Sequence, residues 1–250
     1  MIMNGFTLVE LSIVLVIIGL LIGGILVGQS LIESAKINST AQQIQQFDAG
    51  VMAFKSRYKG LPGDSIYFGG DGDGYIDKDN TSIYVDSFCI ESAKFFPSMD
   101  IKTYPGINSC TANVKGSSKN IPLAKMGKSG TMVIASAKAA SNATYAAAAK
   151  PENYYAYITA ITSQFTTTTS ANSAFKPIEL QSLDSKIDDG VANLGYVLSG
   201  DINNALGLGH GGIYNSPLAT CSTGATYDLT QTGYECTPII RIGASAGNPL

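Results

Sequence analysis

An uninterrupted apolar run lies near the start of the chain. From Phe6 to Gly28 it reads FTLVELSIVLVIIGLLIGGILVG, with a single charge at Glu10. A helix needs about 20 such residues to cross the hydrocarbon core of a bilayer. The run therefore predicts a membrane-spanning helix over residues 6–28.

The helical pattern continues beyond this run, but on one face only. Large apolar residues recur at spacings of three and four, and the residues between them are mostly polar. No proline interrupts the chain from Phe6 to Tyr58, and the pattern ends at Gly60-Leu61-Pro62-Gly63, as expected after a helix C-terminus. We expect one helix, roughly 80 Å long, with an amphipathic second half at residues 29–59. Its apolar positions are Ile37, Ala41, Ile44, Phe47, Val51, Phe54 and Tyr58.

Residues 60–250 show a different pattern, in which short apolar runs are separated by Gly, Asn, Asp and Ser. Such runs are typical of an antiparallel sheet. Residues 111–150 and 166–175 have few large apolar groups and are expected to be surface loops with at most one strand. The fold class expected is α+β: a long N-terminal helix packed on a small antiparallel head. The predicted strands are Ile83–Val85, Gly130–Ala135, Leu194–Leu198 and Pro238–Ile242.

One segment of the head predicts a second helix. Pro151 and Glu152 are suited to a helix start, and the apolar residues that follow have helical spacing up to Phe165. We therefore expect a short helix over residues 151–165. Its apolar positions are Tyr154, Tyr155, Ile158, Ile161 and Phe165.

Composition narrows the choice of partners. The formal net charge is −3 and the chain has 45% hydrophobic residues, so a packed core is expected. An acidic chain has no basic face with which to neutralise phosphates. This argues against nucleic acid as a partner.

Four cysteines bear on the compartment and on metal binding. They form no C-x-x-C pair, and His210 is the single histidine, so zinc is disfavoured. In a head outside the cytoplasm an even number of cysteines predicts two disulfides. Pairing Cys89 with Cys110 and Cys221 with Cys236 closes the shortest loops, although the sequence does not choose among the three connectivities. The alternative is four buried thiols in a reducing compartment.

Glu10 is the most informative single residue. A carboxylate near the bilayer centre is disfavoured by roughly 2.5–3.5 kcal/mol, although a position near the helix end lowers this penalty. A tolerated interfacial glutamate is therefore one interpretation. The other is a carboxylate that needs a partner.

The residues around Glu10 favour the second interpretation. Gly5-Phe6-Thr7-Leu8-Val9-Glu10, followed by Leu11-Ser12-Ile13-Val14, resembles the N-terminus of type IV prepilins and type II secretion pseudopilins. The resemblance implies a leader of residues 1–5, cleavage between Gly5 and Phe6 by prepilin peptidase, and N-methylation of Phe6. It also implies that Glu10 pairs with the N-terminal amine of a neighbouring subunit, since opposite charges compensate each other's desolvation.

The N-terminus departs from the family in one respect. Asn4 stands where the family usually has Lys or Arg, so charge does not indicate the orientation of the span. The resemblance implies a single-pass inner-membrane protein with its head in the periplasm, or outside the cell once assembled into a surface pilus. A cleaved secretory signal is the alternative, because Gly28-Gln29-Ser30 resembles a signal peptidase site.

Two further segments extend the resemblance over the head. Tyr58-Lys59-Gly60-Leu61-Pro62-Gly63-Asp64 is similar to a Y-x-x-L-P-G-D junction, and Asp184-Ser185-Lys186-Ile187-Asp188-Asp189-Gly190 to a D-x-K-x-D-D-G segment, of pilin-like proteins. The implied partners are other pilin or pseudopilin subunits, prepilin peptidase, the inner-membrane assembly platform and membrane lipid.

A glycine- and aspartate-rich segment is a candidate calcium site. Residues 69–80 read GGDGDGYIDKDN, and the middle of a 12-residue calcium loop is matched by Asp71, Asp73, the Tyr75 carbonyl and Asp77. Both ends of the template fail, and Asp64 or Asp79 is needed to complete the shell. Hard oxygen ligands favour Ca²⁺. The alternative is a solvated Asp-Gly turn.

The sequence favours a filament subunit over two other classes. A membrane-tethered hydrolase requires a nucleophile with a base, yet the chain has one histidine, His210, in a Gly-rich segment, and Asp188-Asp189 resembles a solvent-facing turn. A membrane-anchored minor-pilin adhesin overlaps with the first class. We expect no enzymatic activity.

Overall fold

A computed structural model describes residues 7–68, 70–76, 95, 122–137, 153–158, 173–200 and 221–243. Its dominant element is helix α1, Leu8–Tyr58, of 51 residues. Thr7 is the N-cap of this helix. Lys59 is its C-cap and has a left-handed backbone conformation, with φ 61°. The Lys59 N–H donates to the Lys55 carbonyl at 2.9 Å. The continuous helix predicted from the sequence is confirmed.

The second half of α1 supplies one side of the core. Ala41, Ile44, Val51 and Phe54 are buried, and the partly buried Ile37 and Phe47 pack against the same cluster. These residues belong to the apolar stripe read from the sequence. The apolar face of the second half of α1 is therefore the surface on which the head packs.

The elements that the structure describes after α1 are a 3-10 turn, six strands and a second helix. In chain order they are Ile66–Phe68 (the turn), β1 Met132–Ala137, β2 Asn153–Ile158, α2 Pro177–Ile187, β3 Val197–Gly200, β4 Ser222–Thr223, β5 Thr226–Tyr227 and β6 Thr237–Arg241. The other side of the core is a four-stranded antiparallel sheet in the order β1-β2-β6-β3. Strands β4 and β5 form a separate two-stranded hairpin, and α2 contacts α1, β3 and β5.

The expected α+β class is confirmed, and three predicted strands exist with shifted bounds. The runs at 130–135, 194–198 and 238–242 correspond to β1, β3 and β6. The predicted strand at 83–85 lies outside the described residues. β1 is the strand allowed for within the loop-like stretch 111–150.

The helix predicted over residues 151–165 is wrong where the structure describes it. Residues 153–158 form β2, which pairs with β1 on one side and β6 on the other, and all six residues are buried. A strand buried on both faces shows no alternation of polar and apolar residues, so its spacing can imitate a helix. Tyrosine and isoleucine also favour strands. Residues 151–152 and 159–165 lie outside the described part.

Helix α2 was not predicted, although its sequence carries start signals. Pro177 occupies the first turn, and the Lys176 N–H donates to the Glu179 carboxylate at 2.9 Å. Leu180 and Leu183 are fully buried at a spacing of three. With 11 residues, the helix offers too few turns for a clear periodicity.

Asp48 connects α1 to the centre of the sheet. Its Oδ1 accepts hydrogen bonds from the Tyr155 hydroxyl at 3.0 Å and from the Gly243 N–H at 2.8 Å. Burial, with the Asp48 charge as a second cause, raises the pKa of Tyr155 well above its ordinary value, so the hydroxyl stays a donor. This contact fixes where the helix lies across the strands.

Candidate functional site

Within the described residues, the first half of α1 is bare, meaning that no other element covers it. All large apolar side chains from Leu8 to Ile32 are exposed, from 46% at Ile18 to 88% at Leu8. By length and composition this helix could cross a membrane, and none of its most apolar window is buried within the protein. An apolar surface of this extent needs lipid or another protein to cover it.

Glycines in this segment let another helix come close. Beyond the backbone of the helix itself, a Cβ at Gly19, Gly23, Gly24 or Gly28 would meet no described atom within 4 Å. The pairs 19/23 and 24/28 have the small-xxx-small spacing that brings helix backbones together in membranes. The bare helix is therefore shaped for packing against other helices.

Glu10 closes a capping box at the start of α1. Its Oε2 accepts hydrogen bonds from the Thr7 N–H at 2.9 Å and the Thr7 hydroxyl at 2.8 Å, while the Glu10 N–H donates to Thr7 Oγ1 at 3.3 Å. Within the described residues, Glu10 Oε1 accepts no hydrogen bond. The carboxylate is thus held at the exposed N-terminal end of the apolar helix. Gly5 and Phe6, the predicted processing residues, lie outside the described part.

This arrangement coincides with a match to a family model. The model described as "Prokaryotic N-terminal methylation motif" covers residues 3–26. The chain carries this motif. It is the signature of type IV pilins and pseudopilins, and it covers both the predicted cleavage point and most of the bare helix. Searches of curated proteins and of solved structures each found no significant match.

The methylation motif confirms the resemblance seen in the sequence. It supports a pilin- or pseudopilin-like protein of the prepilin type, and it indicates a structural rather than a catalytic role. The motif and the apolar helix together fit a membrane-anchored pilin. The head lies outside the matched residues, so its chemistry has to be taken from its own geometry.

The predicted calcium loop is organised around Asp64. This buried carboxylate accepts hydrogen bonds from the Gly72 N–H at 2.8 Å, through Oδ1, and the Gly74 N–H at 3.2 Å, through Oδ2. Asp71 and Asp73 each accept a backbone N–H two residues further on, and both carboxylates come within 4.8 Å of that of Asp64. Of the two residues proposed to complete the shell, Asp64 is therefore brought to the loop. Asp79 and the predicted ligand Asp77 lie outside the described residues.

Asn153 anchors this loop to the sheet. Its side chain accepts from the Ile76 N–H and donates to the Gly74 carbonyl, each at 2.9 Å. Burial raises the pKa of Asp64, and the Asp73 and Asp71 charges add to this effect, while the Gly72 and Gly74 N–H groups oppose it. Calcium binding by Asp71, Asp73 and the Tyr75 carbonyl stays a prediction.

A second acidic cluster lies at the end of α2. The carboxylates of Asp184, Asp188 and Asp189 each offer an oxygen within 4.8 Å of the others. Burial raises the pKa of Asp184 to about 6, although the Tyr227 hydroxyl and the Gly190 N–H oppose the rise. The sequence predicts a solvent-facing turn at Asp188-Asp189. The structure shows in addition that the helix places the buried Asp184 beside them, one turn earlier.

One of the two predicted disulfides is present in the described residues. Cys221 and Cys236 are bonded, with Cα atoms 5.0 Å apart, and enclose the β4–β5 hairpin. This half of the predicted connectivity is confirmed. Cys89, Cys110 and His210 lie outside the described residues.

Proposed function

We propose that the protein is a structural subunit of a type IV pilus or a type II secretion-type filament, matured by prepilin peptidase and assembled through α1. One observation carries this proposal. The methylation motif begins a helix whose first half is bare and apolar and whose second half is built into the head. Such a helix can enter a filament core without disturbing the head.

The same proposal fixes the location and the partners. Before assembly α1 crosses the inner membrane once, with the head in the periplasm and lipid around residues 8–32. During assembly, helices of neighbouring pilin or pseudopilin subunits replace the lipid, delivered by the inner-membrane assembly platform. The glycine pairs 19/23 and 24/28 support close helix packing.

Glu10 is the residue that pairs with the N-terminal amine of a neighbour. The capping box holds its carboxylate near the start of the helix, where an incoming subunit presents its amine. An uncompensated charge in a helix bundle is strongly unfavourable, whereas a paired charge is not. The pair therefore favours subunits in register.

Glu10→Gln tests this pairing, because glutamine preserves the capping box but removes the charge. We expect at least ~10-fold lower incorporation into filaments, which corresponds to about 1.4 kcal/mol. Tagged subunits are quantified in sheared filaments and in membranes. Glu33→Gln, the same change at an exposed position of the same helix, should incorporate like the wild type. Normal incorporation of Glu10→Gln would remove the pairing from the proposal.

A further inference from the structure

Three segments meet at the C-terminal end of α2. Asp184 lies in the last turn of the helix, Asp188 is its C-cap and Asp189 follows. The start of β3 approaches through Tyr196 and Val197, whose N–H groups both donate to Asp188 Oδ2. The β4–β5 hairpin approaches through Tyr227. The acidic cluster thus lies where α2, the start of β3 and the disulfide loop meet. The disulfide loop is the segment between Cys221 and Cys236, which contains the β4–β5 hairpin.

Asp184 is the buried member of this cluster, with no measurable exposure. Its Oδ2 accepts the Tyr227 hydroxyl at 2.8 Å, but its Oδ1 is buried and has no hydrogen-bond partner of normal geometry. The nearby Gly190 N–H lowers the pKa of this carboxyl but does not reach hydrogen-bond geometry at Oδ1. Leaving a buried charged acceptor unsatisfied is among the most unfavourable arrangements in a protein interior. The unsatisfied oxygen indicates that a positive ligand belongs beside it.

The other two carboxylates increase this need. Asp189 Oδ1 accepts from the Val191 N–H at 2.8 Å, so its position is fixed by the backbone. All three carboxylates lie at the negative end of a helix dipole, where cations are favoured and anions are not. Within the described residues, no Lys or Arg forms an ion pair with any of them. Lys186, in the same turn, is exposed.

The local backbone is shaped to keep the carboxylates together. Gly195 has a φ of 75°, and a Cβ there would overlap Asp188 Oδ2. Gly190 has a φ of 77°, and its Cβ would lie 2.6 Å from the Ser185 hydroxyl oxygen. Both positions therefore require glycine for the turn to close around the cluster.

We propose that Asp184, Asp188 and Asp189 form a calcium site that joins α2 to the disulfide loop and the start of β3. Oxygen ligands lie about 2.3–2.6 Å from Ca²⁺, so two of them on opposite sides of the ion are about 5 Å apart. Each of the three carboxylates has an oxygen within 4.8 Å of the other two, so a single ion could contact all of them. Hard carboxylate ligands without His or Cys favour Ca²⁺ over transition metals.

This site rests on an observation that the Asp64 loop does not offer. There, both oxygens of the buried carboxylate are already satisfied by backbone N–H groups. At the end of α2 the buried oxygen is left over. The two clusters can be tested separately, since Asp73→Asn affects only the loop.

The test measures calcium binding by the full-length protein in detergent, in an Asp73→Asn background that weakens the loop cluster. Equilibrium dialysis against calcium chloride, after chelator treatment, should give one bound Ca²⁺ per chain. Asp189→Asn keeps the acceptor for the Val191 N–H and should weaken binding at least ~10-fold. Asp228→Asn, an Asp outside the cluster, should bind like its parent.

Asp184→Asn provides a second test, in which the stability without calcium and the stabilisation by calcium should change in opposite directions. Without calcium it removes a buried charge, so the melting temperature in chelator should rise relative to the parent. With calcium, the temperature gain on adding the ion should shrink, because a ligand is lost. If Asp184 has only a structural role, Asp184→Asn should lower the melting temperature both with and without calcium.

The proposal fails if the Asp73→Asn protein binds no Ca²⁺ at millimolar concentration, or if Asp189→Asn binds as tightly as its parent. It also fails if magnesium chloride raises the melting temperature as much as calcium chloride, because the site would then not select the larger ion. None of these results bears on filament assembly, which is measured separately.

Discussion

Asp48 determines how the long helix sits on the sheet. Its carboxylate is 1% exposed and satisfies a tyrosine hydroxyl in β2 and a backbone N–H after β6. One side chain thus links three distant parts of the chain. The sequence contains a signal for it, since a lone carboxylate at position 48 is in helical register with Ile44 and Val51 of the apolar stripe.

Removing this carboxylate should destabilise the head. Asp48→Ala leaves the Tyr155 hydroxyl and the Gly243 N–H buried without an acceptor, and we expect a loss of about 2–4 kcal/mol in the free energy of unfolding. Chemical unfolding of the full-length protein in detergent, followed by circular dichroism, measures it. Glu33→Ala, an exposed change on the same helix, should stay within about 0.5 kcal/mol of the wild type. Equal stability of the two variants would show that Asp48 does not anchor α1.

Residue-level chemistry was only partly accessible from the sequence. Glu10 was found because a charge stands out in an apolar run. Asp64 is a candidate ligand from the sequence because both ends of the calcium-loop template fail and a nearby carboxylate is needed to complete the shell. Asp184 was missed as a candidate ligand because its partners Asp188 and Tyr227 are brought to it by a helix and a hairpin that the sequence pattern did not reveal.

At the scale of elements, α1 was predictable and β2 was not. The helix carries its period over many turns, so the stripe from Ile37 to Phe54 could be read directly. β2 is short and buried on both faces, so its tyrosines show no polar–apolar alternation that would distinguish a strand from a helix. Its pairing with β1 and β6 makes it a strand. Tertiary contact, and not local preference, decides its conformation.

The disulfide is the element-scale feature with the clearest energetic consequence. Cys221 and Cys236 are 15 residues apart and enclose a hairpin of only two short strands, which has little stability of its own. Replacing both with alanine should lower the free energy of unfolding by about 3 kcal/mol, because the unfolded chain regains the entropy of an open loop. Chemical unfolding in detergent measures this change. An unchanged unfolding midpoint would contradict a stabilising role for the bond.

At the scale of the whole molecule, one helix belongs to two environments. Buried residues from Ala41 to Phe54 contribute to the core of the head, and the large apolar side chains from Leu8 to Ile32 are exposed in the part of the chain that the structure describes. Under the proposed function, lipid and then other subunits cover these exposed residues, which begin with the methylation motif. In the proposed filament, folding of the head and packing between subunits would thus use different halves of a single helix.

This separation predicts that the bare half of α1 is retained in the mature protein. Prepilin processing removes residues 1–5 and keeps the apolar helix, whereas secretory cleavage near Ser30 would remove the helix. A strain that lacks prepilin peptidase should yield the full-length chain. The three outcomes differ in mass by amounts that are easily resolved.

Intact-mass analysis of protein extracted from the membranes of cells with active prepilin peptidase is the most direct test. We expect a chain that begins at Phe6 and carries one added methyl group. A mass that still includes MIMNG, or one that lacks residues 6–30, would contradict the proposal that this helix is processed for assembly.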